Sequence, residues 1–177
     1  MEREPADSEI QARLAANDPS ALELIWDGYG TDLFAFLASL LGRRHEAEDA
    51  LQDVFVTIAR KRQSVAGARL LKPYLFRLAR NVALNRLKRN RRVRQPTGEG
   101  FDWLVYDQPD EQGDDRTARL GPALAALPEK QRVVIVLKFF RDKTLREIGE
   151  LMGTSENTAA SRYRYGMAAL RKLMWES

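Results

Sequence analysis

Residues 144–165 read TLREIGELMGTSENTAASRYRY, and their spacing specifies two helices with a tight turn between them. Thr144 stands three residues before Glu147, the pattern of a capping box in which hydroxyl and carboxylate each satisfy a backbone amide. Leu145, Ile148, Leu151 and Met152 then share one face of a short helix that ends at Gly153. After the turn Gly153-Thr154-Ser155, a longer helix runs to about Trp175, with Ala159, Tyr163, Met167 and Leu170 as its buried stripe. A short helix, a glycine-containing turn and a second helix opening on polar residues make a helix-turn-helix. Its second helix enters the major groove with its N-terminal residues against base edges. Ser155, Glu156, Asn157, Thr158, Ser161, Arg162, Arg164 and Tyr165 are left for solvent or DNA. Arginine pairs bidentately with guanine and asparagine with adenine. The competing reading is a plain helical hairpin with a polar outer face.

Upstream of this motif, Pro128 opens a helix with Val133, Val134, Leu137 and Phe140 inward, and Arg141-Asp142-Lys143 forms a turn. Residues 93–117 gather acidic residues, Gly98, Gly100, Gly113, Pro96 and Pro109 without periodicity, the composition of a flexible acidic linker. Phe101, Trp103 and Leu104 could dock transiently. Stretched at ~3.3 Å per residue, the linker would reach about 80 Å, more than roughly 20 base pairs of duplex. Before it, a helix from Pro73 to about Arg89 buries Leu75, Leu78, Ala79 and Val82 and turns Arg77, Arg80, Asn81, Leu84 and Lys88 to another side. A helix over residues 46–62 buries Leu51, Val54, Phe55 and Ile58 and carries Glu46, Asp49, Gln52 and Asp53 opposite. Gln63 to Gly67 reads as a loop. Asp18-Pro19 starts a helix that runs to Gly42, with Gly28 and Gly30 marking a kink or break. The expectation is an all-α chain of two small helical domains, residues 8–92 and 118–177, joined by the linker at 93–117.

Charge along the chain points to a polyanion. The net charge is only +4, yet no acidic residue falls between Val54 and Gly98, where thirteen cations from Arg60 to Arg94 stand. A solvated face ordinarily mixes both signs, so this segregation is the footprint of a nucleic-acid surface. With 0 cysteines and His45 as the single histidine, a disulfide framework, a thiolate zinc site and a histidine metal cluster are excluded. No metal or other cofactor is expected. The longest apolar run, Phe34 to Leu41, is far short of the ~20 residues of a membrane span. Glu2, Glu4, Asp7 and Glu9 at the start do not resemble a signal peptide. A cytoplasmic protein without membrane insertion is expected.

These residues resemble the extracytoplasmic-function group of sigma-70 factors. Residues 47–55, AEDALQDVF, are similar to region 2.2, and residues 73–81, PYLFRLARN, to the start of region 2.4. Residues 127–132, LPEKQR, resemble the opening of region 4, and residues 147–155 with Thr158, Ser161 and Arg162 resemble its helix-turn-helix. Tyr74 stands where the family commonly has tryptophan, Asn85 where an acidic residue is common, and Ala160 and Tyr165 where basic residues are common. Arg164 is the candidate to carry a displaced contact.

The resemblance implies a sigma region 2 bundle and a sigma region 4 helix-turn-helix, and a protein that directs RNA polymerase to promoters. It implies polymerase binding through Glu46, Asp49, Gln52 and Asp53 on the β′ clamp helices, with a further contact to the β flap. Promoter DNA at the −10 element would meet Gln63, Ser64, Tyr74, Arg77, Arg80, Asn81 and Lys88, with Tyr74 and Phe76 as candidate stacking rings. The −35 element would meet the polar start of the last helix. An anti-sigma factor is implied as a regulator. Two rivals are a stand-alone helix-turn-helix regulator, which ordinarily needs a dimer surface, and a nuclease or recombinase. The second lacks convergent carboxylates and an oriented nucleophile, so no enzyme is expected.

Overall fold

The computed structural model describes residues 7–89 and 115–175. Most of the expected linker, with Phe101, Trp103 and Leu104, lies outside the described residues, as does the side chain of Lys88. Among the described residues the fold is all-α. The N-terminal module holds α1 (Asp7–Ala15), α2 (Ser20–Leu41), α3 (Arg44–Arg60), α4 (Arg62–Ala66) and α5 (Leu71–Arg89). The C-terminal module holds α6 (Asp115–Ala126), α7 (Glu129–Phe140), α8 (Leu145–Met152) and α9 (Glu156–Trp175).

The hub is α2, which packs on α1, α3 and α5 and also on α7 of the other module. Leu33, Phe36, Leu37 and Leu40 are buried, and the Phe36 and Phe76 rings meet at 5.2 Å, tilted by 60°, the geometry ring quadrupoles favour. Ala35 joins Ala123, Leu124, Ile135 and Val136 in a second cluster shared with the C-terminal module. The main cluster likewise takes in Val133, Val134, Leu137, Ile148, Leu151 and Ala159. The two modules are therefore packed together.

Several local expectations are corrected. The helix α2 runs unbroken through Gly28 and Gly30. Trp26 lies across Gly30, 3.4 Å from where a Cβ would stand, and burial of the helix outweighs the ~1 kcal/mol each glycine costs. The helix starts at Ser20, one residue later than expected for Pro19 at its first position. The Asp18 carboxylate accepts the Ser20 N–H at 2.9 Å, and that bond holds its pKa below the ordinary value. Residues 63–66 are helical rather than loop, because Val65 is buried and the Gln11 amide donates to the Ala66 and Ala68 carbonyls at 3.1 and 2.6 Å. Two helices, α1 and α6, carry no counterpart in the sequence reading. The second contains Pro122, which removes a backbone donor, but Leu124 and Leu127 are buried around it.

Candidate nucleic-acid interface

The helix-turn-helix forms as its spacing requires. The Thr144 amide donates to Glu147 Oε2 at 2.7 Å, and the Glu147 amide donates to Thr144 Oγ1 at 3.2 Å. The Thr144 backbone bond, with that of its hydroxyl, holds the Glu147 carboxyl below its ordinary pKa. Gly153 ends α8 at φ 63, a left-handed conformation that glycine takes without a steric penalty. A Cβ at Gly149 would stand 2.9 Å from the Thr154 carbonyl oxygen, so the turn closes tightly only over glycine.

Ser155 has a local task, since its Oγ accepts the Thr158 amide at 3.2 Å and caps α9. Glu156, Asn157, Arg164 and Tyr165 are exposed, while Thr158, Ser161 and Arg162 are half-buried. Tyr165 is 62% exposed, with the Arg164 guanidinium 5.5 Å from its ring centre. The expected stripe is buried at Ala159 and Leu170 and half-buried at Tyr163 and Met167.

On the N-terminal module, Ser64, Arg69, Tyr74, Arg77 and Arg80 line a cleft of about 650 Å³. Its far wall is Glu150, Leu151, Met152 and Gly153 of the C-terminal module. Arg77 and Arg80 are exposed, and the Arg77 guanidinium sits 5.1 Å from the Tyr74 ring centre. Asn81 lines a neighbouring groove between α3 and α5 with Thr57, Lys61 and Asn85. Gln63 is drawn toward α1, donating to the Ala15 carbonyl at 3.2 Å. Phe76 is fully buried, so only Tyr74 of the two candidate rings can meet a base.

The acidic face of α3 forms with one addition. Asp49, Gln52 and Asp53 are exposed and Glu46 is half-buried. Arg86, which sequence alone groups with the DNA-facing cations, turns back to α3 instead. Its Nε and Nη2 donate to Asp53 Oδ2 at 2.9 and 2.5 Å, and its Nη1 stands 3.7 Å from Asp49 Oδ2. Sequence reading also missed the aromatic groove beside this face. Trp26, one of the apolar residues at helical spacing along α2, is 56% exposed and meets half-buried Phe55 at 5.5 Å. The two rings line a groove with Phe34, Leu51, Glu48 and Gln52. Helical periodicity cannot separate a core position from an exposed one at the stripe's edge. Among the described residues there is no group of His, Asp or Glu side chains able to hold a metal ion, and no helix long and apolar enough to cross a membrane.

Comparison with known proteins places both modules. Residues 25–93 match the family model "Sigma-70 region 2" and residues 123–172 match "Sigma-70, region 4". The chain is similar to the ECF RNA polymerase sigma factor RpoE of Cereibacter sphaeroides, 31% identical over 162 residues, covering 89% of this chain and 88% of that one. It is 30% identical over 167 residues to the ECF sigma factor SigW of Bacillus subtilis, covering 88% and 89%. Among solved structures it resembles CnrH in complex with the cytosolic domain of CnrY, with a TM-score of 0.68, 22% identity, and 96% and 97% of the two chains covered. It also resembles RpoE of Bartonella quintana in complex with the anti-sigma factor NepR, with a TM-score of 0.64, 23% identity, and 87% and 96% covered.

Proposed function

This chain belongs to the sigma-70 family as an extracytoplasmic-function sigma factor of RNA polymerase, and we propose how its surfaces divide the task of starting transcription. The observation that carries the proposal is a pair of packed helices with opposite charge. Outward from their shared core, α3 presents Asp49, Gln52 and Asp53 while α5 presents Arg77, Arg80 and Asn81. Such a unit can hold a basic protein surface on one side and DNA on the other.

In this reading Glu46, Asp49, Gln52 and Asp53 dock on the β′ clamp helices of core polymerase. Arg77, Arg80, Asn81 and Lys88 hold the −10 element, where release of counterions from phosphates supplies affinity. Melting takes bases out of the stack at a few kcal/mol each. Ser64, with Gln63 beside it, receives an unpaired base, and Tyr74 offers a stacking face worth ~1–3 kcal/mol. The start of α9, with Ser155, Glu156, Asn157, Thr158, Ser161, Arg162, Arg164 and Tyr165, reads the −35 element. Direct contacts fall to exposed Asn157 and Arg164, while Ser155 holds the helix start. The C-terminal module also meets the β flap.

Sigma factors act on promoter choice without a catalytic centre, and we propose the same here, in the cytoplasm beside the polymerase. The likeness in fold to RpoE solved with the anti-sigma factor NepR supports an anti-sigma factor as a further partner. A stand-alone regulator would leave the region 2 match without a purpose. The discriminating experiment pairs Asp49→Arg with Gln52→Arg, leaving the Asp53–Arg86 pair in place. The folded double variant is expected to lose capture by core polymerase. Capture at wild-type affinity would remove α3 from the polymerase interface.

A further inference from the structure

Helix α4, which carries the residues assigned to an unpaired base, is too short to stand by itself. It has five residues and no side-chain hydrogen bond at its N-cap, Lys61, whereas isolated helices under about 12–15 residues are marginal in water. Val65 is its one buried residue. Its far end is held from α1. Half-buried Gln11, next to the buried anchor Ile10, donates through Nε2 to the carbonyls of Ala66 and Ala68 at 3.1 and 2.6 Å. The arrangement is reciprocal. Gln63 Nε2 donates to the Ala15 carbonyl at the end of α1 at 3.2 Å, and Arg62 Nη1 to the Asn17 carbonyl just beyond it at 3.4 Å. A helix leaves its last carbonyls without intrahelical partners, and here side chains of each helix serve the end of the other.

The carbonyls that Gln11 holds belong to the segment that borders the basic cleft. Ser64, Gly67 and Ala68 line that cleft with Tyr74 and Arg77, while Gln11 does not. We propose that Gln11 is a positioning residue for base selection: by fixing the Ala66 and Ala68 carbonyls it sets the shape of the Ser64–Ala68 segment against which an unpaired promoter base is read. The task needs a donor. An amide nitrogen carries two N–H groups and can serve both carbonyls at once, whereas a carboxylate in its place would offer only acceptors to two acceptors. Ala66 and Ala68 are half-buried, so loss of the donor favours a rearranged segment in which those carbonyls find other partners. Arg77 and Arg80 stand on α5, which has its own packing on α2 and α3. Grip on the strand and choice of the base are therefore separable. The inference rests on the assignment of Ser64 to an unpaired base.

Gln11→Glu keeps the size of the side chain and removes the donor, and Gln11→Leu removes the donor without adding charge. Each full-length variant is joined to core polymerase and supplied with a promoter library randomised through the −10 element, and the transcripts are sequenced. Both variants are expected to lose base preference about tenfold at one −10 position, the scale of a lost hydrogen bond. Preferences at the −35 element and capture by polymerase should stay as in the native chain. Amide exchange at Gly67 and Ala68, which donate to the Gln63 and Val65 carbonyls at 3.0 and 3.1 Å, should quicken in both variants, with protection at Phe76 unchanged. Native base preferences in both variants would overturn the role of Gln11, even with faster exchange at Gly67. A loss spread evenly over the −10 and −35 elements would overturn it too, since that is the mark of general unfolding. Absence of any −10 preference in the native holoenzyme is a different failure, which would strike the Ser64 assignment and this proposal with it.

Discussion

The two sides of α2 are built from different materials. Toward α5, contact is hydrocarbon, with Phe36 against Phe76. Toward α7, apolar contact at Ala35 and Val136 is joined by Asp32 with its two cations and by the Arg132 bridge to Ser39. An all-apolar face has no hydrated alternative and stays shut, whereas a face threaded with paired charge resembles the more polar contacts between domains that move. The difference separates a hydrocarbon core from a contact that also carries paired charge.

The largest test of that contrast is Phe76→Ala, expected to cost about 3–5 kcal/mol and to unfold the N-terminal module as a unit. Denaturant titration followed by helical content checks it, and a loss under 1 kcal/mol would mean the ring is not part of the core. Arg132→Met comes next. Its burial already lowers the guanidinium pKa through desolvation, and replacement leaves the Ser39 and Ala125 carbonyls without this donor, a penalty of about 1–3 kcal/mol. The effect should appear as weaker packing between modules, read by amide exchange along α2 and α7, with protection at Phe76 unchanged.

Thr144→Ala follows, expected to cost about 1 kcal/mol through loss of the cap. Glu147 adds a pH signature. Its folded pKa is depressed by the Thr144 bonds, so its contribution is complete above the unfolded carboxylate value and is lost as pH falls through the folded one. Acid titration of α8 protection should show that limb in the native chain and a flatter one in Thr144→Ala. Arg86→Gln should do least to stability, about 0–1 kcal/mol, because the pair with Asp53 is solvent-exposed. It sharpens the division between DNA cations and structural ones. Arg80→Gln should lower the salt dependence of DNA binding by about one ion, while Arg86→Gln should leave that slope unchanged.

What could be read from sequence follows from where the forces are local. The capping box of Thr144 and Glu147, the turn at Gly153 and the apolar stripes of α3 and α5 are set by neighbours within a few residues, and they formed as spaced. Helix α4 depends on Gln11, 55 residues away from Ala66 in sequence, and α6 persists through Pro122 because Leu124 is buried with Ala35, Ile135 and Val136 of other helices. Arg86 looked like its neighbours because charge type says nothing of direction, and its true partner is 33 residues away. The packing of one module on the other had no sequence signal, since Asp32 and Arg141 are 109 residues apart and no local pattern links them.

The most direct test is transcription by purified core polymerase, with and without this chain, on a library of promoter fragments with start sites mapped. Addition of the chain is expected to concentrate initiation on fragments sharing two separated elements, with loss of that selectivity in the Asp49→Arg, Gln52→Arg variant. Initiation sites that stay the same whether or not the chain is present would contradict a promoter-reading role.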